Sequence, residues 1–167
     1  MKILRFLLIN VILLFIVVLL VLLFIPSHVR ISRAVNIKVE KEIILNEIDD
    51  LNKWKNWYPG FDTLQPQPLQ TVNGRLVSAQ IPGTTFTLKE RKDDEVIAEY
   101  STGKGNPVIS GWKTFSYNHS DSLTLQWYLD FKLRWYPWEK MMSLIYDKSY
   151  GPDMEKGLQN LKKIAER

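Results

Sequence analysis

The segment LTLQWYLDFKLRW, residues 123–135, carries the clearest pattern of the soluble part of the chain. Every odd position is apolar, from Leu123 through Trp127 to Trp135, and every even position is polar or amphipathic. Successive side chains of a strand point to opposite faces, so this period predicts a long strand with one buried face. A strand of this kind belongs to an antiparallel sheet, and the apolar face of such a sheet must be covered by another element.

The end of the chain provides the predicted cover. Residues 152–166 carry an apolar helical stripe that includes Met154, Leu158 and Leu161. Gly157 lies on this stripe and allows the helix to approach a neighbouring sheet closely. Pro152 predicts the first turn of the helix. A second helix is predicted over residues 138–148, directly after Pro137.

The region before residue 123 predicts a strand, a short helix and several antiparallel strands. The first strand covers residues 28–38, and the helix begins at Glu40 and is broken at Asp49 and Asp50. A turn is predicted over 54–60, and residues 64–69 are predicted to be extended and loop-like. Further strands are predicted over residues 75–81, 84–91, 95–101 and 107–117, followed by a turn at 118–121. The predicted fold class is therefore α+β.

The N-terminus contains twenty consecutive residues, 6–25, of which only Asn10 is polar. As a helix this run is about 30 Å long, which matches the hydrocarbon core of a bilayer. A cleavable signal peptide has a shorter apolar region and a small-x-small cleavage site, which residues 24–29 lack. The sequence predicts a retained single-pass anchor over residues 1–27 and one domain over residues 28–167.

The flanking charges bear on the side of the membrane. Lys2 and Arg5 favour a cytoplasmic N-terminus, whereas Arg30, Arg33 and Lys38 follow the apolar run. Because long C-terminal domains are translocated largely regardless of charge, we expect the domain on the extracytoplasmic, periplasmic side.

Composition excludes several classes of function. The net charge is +4, and it falls to +2 without Lys2 and Arg5. No block of basic residues is present, so nucleic-acid binding is not expected. The chain has no cysteine, which excludes disulfides, thiolate metal sites and a cysteine nucleophile.

The chain resembles the START-like (SRPBCC) superfamily of polyketide cyclases/dehydrases and lipid-transport proteins, in its membrane-anchored bacterial form. The resemblance rests on the entry strand before Glu40, on residues 49–59 with Trp54 and Trp57, and on residues 151–162. It implies a helix-grip fold, in which a curved antiparallel sheet surrounds a long C-terminal helix with an apolar cavity between them. Residues 75–105 lack the glycine-rich hairpins typical of the superfamily.

The candidate ligand-binding residues are the large apolar side chains predicted to face that cavity. They are Trp54, Trp57, Tyr100, Trp112, Trp127, Phe131, Trp135, Met154, Leu158 and Leu161. A pocket for a lipid-like or aromatic molecule is one interpretation. A solid core is the other, because inward alternation describes a packed core and a cavity equally well.

The sequence contains no convincing catalytic or metal site, and no cofactor is expected. His28 lies at the end of the apolar run and His119 in a polar turn, and neither has an acid or a nucleophile at a telling spacing. The acidic pairs at 49–50 and 93–94 fit a helix end and a turn. Lys104 lacks the spacing of a phosphate-binding loop.

Trp135, Tyr136, Pro137 and Trp138 concentrate aromatic residues beside basic ones. Tryptophan and tyrosine favour the headgroup region of a bilayer, so one interpretation of this cluster is an edge of the domain that rests on the membrane. The other interpretation is a buried corner between strand and helix. For Trp135 the buried corner is favoured, because that residue continues the inward face of the strand.

Three functions are compatible with these features. The first is non-catalytic binding of a hydrophobic or lipid-like ligand in an apolar cavity beside the membrane. The second is an interaction or structural module that holds a membrane partner, which crosslinking in native membranes would identify. The third is a cyclase- or dehydratase-type enzyme, which would require a polar residue such as Glu90 or Arg75 to point into the cavity.

Overall fold

Seven strands form one antiparallel sheet in the order β1-β7-β6-β5-β4-β3-β2. The computed structural model describes residues 2–61, 63, 66–103, 105–116 and 122–167. The strands are β1 (His28–Ile37), β2 (Gln67–Val72), β3 (Arg75–Ile81), β4 (Thr84–Arg91), β5 (Glu95–Ser101), β6 (Val108–Ser116) and β7 (Leu123–Lys132). The helices are α1 (Lys2–Leu23), α2 (Lys41–Ile48), α3 (Pro137–Ser143) and α4 (Tyr146–Ala165), with a 3₁₀ turn at Trp54–Asn56.

The predicted strand at residues 123–135 forms β7, the second strand of this sheet, next to the edge strand β1. β7 pairs with β1 on one side and with β6 on the other, so Trp127 lies opposite both Arg33 and Trp112. Its odd-numbered side chains are buried on the inner face, as the alternation predicts. The predicted α+β class, with an antiparallel sheet and a long C-terminal helix, is confirmed.

The long helix α4 covers the inner face of β1 and β7. Its buried residues are Gly151, Met154, Gly157, Leu158 and Leu161. Gly157 faces the indole of Trp127, and a Cβ atom at this position would lie 2.8 Å from Trp127 Cζ3. The close approach that Gly157 predicts is therefore present.

The sequence predicts helices over residues 138–148 and 152–166, and the position of the break between them is wrong. α3 ends at Ser143, and α4 begins at Tyr146 and continues through Pro152. A proline inside a helix removes one hydrogen bond. From β1, Arg33 bonds Asp147 at 2.9 Å and Glu155 at 2.7 Å, on the two sides of the proline, and so links this part of α4 to the sheet.

The predicted strand at 123–135 is too long by three residues. β7 ends at Lys132, which pairs with His28, the first residue of β1. Leu133 N still donates to Ser27 O at 2.8 Å, but beyond this point no strand remains for it to pair with. The alternation therefore stops, and Trp135 is 77% exposed instead of continuing the inner face.

Strand β2 covers residues 67–69 of the segment predicted to be extended and loop-like, whereas residues 64 and 65 lie outside the described residues. It forms a hairpin with β3 through Asn73 and Gly74, whose φ angles are 51° and 80°. An Asn-Gly pair with two positive φ angles is the typical two-residue turn between antiparallel strands. The turn predicted at 118–121 and Lys104 lie outside the described residues.

Helix α1 coincides with the apolar run. Its side chains are almost all exposed. The helix is long and apolar enough to cross a membrane, and a signal sequence meets the same two criteria. The helix ends at Leu23, shortly before Pro26, and β1 begins only two residues after that proline.

The Gly157 contact leads to a stability prediction. Alanine favours a helix over glycine by about 1 kcal/mol, but a Cβ here would crowd both Trp127 and, at 3.1 Å, Pro59 Cδ. We expect Gly157→Ala to lower the free energy of unfolding by about 1–3 kcal/mol, the usual range for overpacking. Urea unfolding of the detergent-solubilised chain, followed by circular dichroism, measures this change.

Gln159→Ala is the matched control, because Gln159 is exposed on the same helix. Its effect should remain within about 0.5 kcal/mol. A Gly157→Ala variant as stable as the wild type would contradict the close packing of α4 on β7.

Candidate functional site

A cluster of aromatic side chains fills most of the space between the sheet and α4. Trp54 is its centre, stacked on Tyr58 at 4.9 Å between ring centroids and packed edge-on against Trp112 at 5.2 Å. The indole N–H of Trp54 donates to Ile48 O at 2.7 Å, and that of Trp127 donates to the Ser110 hydroxyl at 2.7 Å. These bonds hold two of the indoles in fixed orientations.

Seven of the ten predicted cavity residues belong to this solid core. Their side chains are at most 2% exposed, so they contact protein on all sides; they are Trp54, Trp57, Trp112, Trp127, Met154, Leu158 and Leu161. For these residues the packed-core interpretation holds. Trp135 lies on the surface, outside the core and the cavity.

The other two candidates, Tyr100 and Phe131, line a cavity of about 260 Å³. It lies on the inner face of β4–β7, beside the first turns of α4. Its wall is largely aromatic and aliphatic and consists of Tyr58, Thr84, Phe86, Tyr100, Thr102, Asn106, Val108, Leu129, Phe131 and Tyr150. This is the space that the core leaves open.

A pair of phenols forms a polar point in the cavity wall. The Tyr58 hydroxyl donates to the Tyr100 hydroxyl at 3.3 Å. Burial raises the pKa of Tyr58 to about 12, and burial together with the neighbouring Tyr58 raises the pKa of Tyr100 well above its ordinary value. Both phenols are therefore protonated at neutral pH, and each retains a hydroxyl with which to bind a polar group of a ligand.

The cavity lies at the end of the sheet that is nearest to α1. His28 at the start of β1 pairs with Lys132 at the end of β7, and the amide of Asn106 donates to Lys132 O at 2.7 Å. Asn106 also lines the cavity. We call this edge the α1 end of the sheet; the cavity is thus close to the point where the apolar helix stops.

Several cavity residues were not predicted. Tyr58 lies in a turn, where periodicity gives no orientation, and Tyr150 lies in the part of α4 that was not assigned to that helix. Phe86 lies in the strand predicted over residues 84–91, and its pairing with Tyr100 explains its place in the wall. The alternation of β4 was the one available signal, because it marks Phe86 as inward-facing.

A larger depression of about 660 Å³ lies on the outer face at the same end. Arg30 and Asp130 form its floor, with a bidentate ion pair at 2.6 and 2.5 Å, and the Arg30 guanidinium lies 4.2 Å from the centre of the Tyr128 ring. Because each charge already has a partner, we place the candidate ligand site in the smaller inner cavity.

The polar residues that would indicate catalysis do not reach the cavity. Arg75 bonds the carboxylate of Asp49 at the end of α2, and Glu90 is paired with Lys92 at 3.4 Å on the surface. Among the described residues, no group of three histidine, aspartate or glutamate side chains is arranged to hold a metal ion. His119 lies outside the described residues.

The fold and the cavity place the chain in a class of proteins in which a curved sheet holds a long C-terminal helix. A family model described as "Polyketide cyclase / dehydrase and lipid transport" matches residues 28–166. The chain belongs to this family, and the predicted START-like resemblance is confirmed. A comparison with curated protein sequences found no match.

Solved structures with the same fold come from several bacteria. A START superfamily protein from Mycobacterium smegmatis has a TM-score of 0.57 at 16% identity, over 82% of this chain and 97% of that one. The Zhui aromatase/cyclase from a Streptomyces species has a TM-score of 0.58 at 14% identity, over 84% and 94%. A protein of unknown function from Staphylococcus aureus has a TM-score of 0.56 at 12% identity, over 83% and 94%. At these identities the likeness shows the fold alone.

The buried phenol pair leads to a pH prediction. An unfolded tyrosine ionises near pH 10.0, whereas Tyr58 in the folded protein ionises near pH 12. Its contribution to stability is complete below pH 10 and is lost as the pH rises towards 12, because only the unfolded chain releases the proton in this interval. The expected slope is up to about 1.4 kcal/mol per pH unit.

Urea unfolding at a series of alkaline pH values measures this slope. Tyr58→Phe removes the ionising group and keeps the ring, so its stability should fall less steeply with pH than that of the wild type. Equal slopes for the two proteins would contradict the burial of the Tyr58 hydroxyl.

Proposed function

We propose that this protein is a membrane-anchored helix-grip domain that binds a hydrophobic, lipid-like ligand without catalysing a reaction. The observation that carries the proposal is the apolar cavity at the α1 end of the sheet. A ligand that enters it passes from the membrane side of the domain directly onto aromatic and aliphatic side chains. The family description, which includes lipid transport, is consistent with this role.

The size and the polarity of the cavity limit the ligand. Its volume of about 260 Å³ is slightly below the range of about 300–1,000 Å³ that is typical of small-molecule sites. It therefore suits one acyl chain end or a small aromatic molecule rather than a whole phospholipid. The Tyr58 and Tyr100 hydroxyls provide the hydrogen bonds for one oxygen atom of that ligand.

The polar groups of the cavity favour binding over catalysis. No carboxylate or imidazole is present among the described wall residues, and the two phenols are protonated at neutral pH because burial raises their pKa values. General acid–base catalysis is most effective with groups whose pKa lies near the working pH. The walls thus suit a ligand that is held unchanged.

Two contacts support the interpretation of α1 as a retained anchor. Lys140 of α3 donates to Leu22 O at 3.1 Å and to Ile25 O at 2.8 Å, at the C-terminal end of α1. Leu133 N donates to Ser27 O. Cleavage of a signal sequence after residue 26 would remove Leu22 and Ile25, and with them both of these hydrogen-bond partners of Lys140.

The anchor makes a direct prediction. The full chain should remain in the membrane pellet after extraction with alkaline carbonate, and its intact mass should include residues 1–27. A released protein, or a mature protein that starts after residue 26, would identify a signal sequence instead. Protease added to spheroplasts, whose outer barrier has been opened, tests the side of the membrane: cleavage of the domain is expected if it is extracytoplasmic, and protection would contradict that orientation.

The cavity makes a second prediction. Val108 lines it, whereas Ile109, the next residue of β6, faces the outer depression. Val108→Phe should fill part of the cavity and strongly reduce the amount of a specific bound molecule, while Ile109→Phe places the same new side chain on the opposite face and should not. Solvent extraction of each purified full-length protein, followed by mass spectrometry, measures the bound molecule.

The comparison removes the background of lipids that surround α1, because these are common to all three proteins. A molecule present in the wild type and in Ile109→Phe but depleted in Val108→Phe is the expected result. Identical lipid profiles in all three proteins would rule out the cavity as the binding site.

A further inference from the structure

The segment that joins β7 to α4 exposes an unusual number of apolar side chains. Trp135 is 77% exposed, Trp138 61% and Leu144 70%, and Met141, Met142 and Ile145 are about half exposed. Large clustered apolar patches on a soluble surface mark sites that are covered by something else. We call this segment, residues 135–145, the α3 patch.

The α3 patch lies at the level where the apolar helix ends. Lys140 is only 8% exposed, and its Nζ atom donates to the carbonyls of Leu22 and Ile25. The last carbonyls of a helix have no partner within the helix, and a basic side chain there also interacts favourably with the helix dipole. Lys140 therefore links α3 to the end of α1 through hydrogen bonds.

A continuous apolar groove connects the two elements. It has a volume of about 410 Å³ and is lined on one side by α1 residues such as Leu19 and Leu23, and on the other by Trp135 and Pro137. If α1 spans the bilayer, this groove opens into the outer part of the hydrocarbon, and the patch beside it lies among the headgroups. Tryptophan is the side chain most suited to that layer.

We infer that the α3 patch is a membrane-docking surface whose partner is the lipid interface, and that Lys140 fixes it against the end of α1. This inference rests on the proposed anchoring of the chain by α1. Docking sets the orientation of the domain, because α4 follows α3 after two residues and carries Tyr150 of the cavity wall. The cavity is then held towards the lipid rather than rotating freely above it.

Tryptophan fluorescence in vesicles tests the docking. The full chain is reconstituted into phosphatidylcholine vesicles with brominated acyl chains, which quench tryptophans that contact lipid. Four of the six tryptophans, Trp54, Trp57, Trp112 and Trp127, are buried in the core. The difference between the wild type and a Trp135→Phe/Trp138→Phe double variant thus isolates the patch.

We expect brominated lipid to quench this difference signal and aqueous acrylamide to leave it largely unaffected. Quenching by acrylamide alone would overturn the inference, because the patch would face water. Protection from both quenchers would also overturn it, since a second copy or another protein would then cover the patch. Carbonate extraction of the same vesicles tests the anchor separately. A protein that resists extraction but whose patch is not quenched by brominated lipid would support the anchor and contradict only the docking surface.

Lys140→Met tests this link, because methionine has a similar length and no hydrogen-bond donor. We expect it to lower the quenching of the patch by brominated lipid. Lys148→Met is the matched control, since Lys148 is exposed on α4 and the same charge is removed. If the Lys140→Met variant is quenched as strongly as the wild type, Lys140 does not fix the patch against α1. The docking itself is decided by the quenching of the wild type alone.

Discussion

The packing of α4 against β1 and β7 is the constraint on which the rest of the domain depends. Gly157 allows the helix to lie directly on Trp127, and Arg33 bonds acids on both sides of Pro152. The first contact sets the distance between helix and sheet, and the second links the part of the helix around Pro152 to β1. With the helix in this place, the inner face of the sheet is closed over most of its length.

The cavity is a consequence of how that closed space is filled. Residues 54–61 bring Trp54, Trp57, Tyr58 and Phe61 under the sheet, where they pack against Phe86, Trp112 and Trp127. These side chains occupy the half of the interior beside α2. What remains is a small apolar space at the α1 end with two protonated phenols in its wall. The volume and lining of this space, rather than the fold, limit the size and polarity of a molecule that could occupy it.

The same edge of the domain holds three features together. The cavity, the end of the apolar helix and the α3 patch all lie near the His28–Lys132 pair. Two chain segments distant in sequence meet there, since Lys140 contacts Leu22 across 118 positions. A domain bound to the membrane at two such points has a defined orientation, and a domain bound by a flexible tether would not.

The sequence by itself determined the elements that depend on periodicity. The alternation at 123–135, the stripe at 154–161 and the run at 6–25 predicted strand β7, the covering helix and the apolar helix, because neighbouring residues alone set these patterns. The tertiary structure decided what depends on distant partners. Trp135 turns outward because β1 provides no partner beyond Ser27, and Tyr58 lines the cavity because the core positions its turn. Helix α4 begins before Pro152, where Arg33 of β1 bonds Asp147 and Glu155. Seven candidate residues became solid core for the same reason, since alternation indicates which way a side chain points but not how fully the opposite side is occupied.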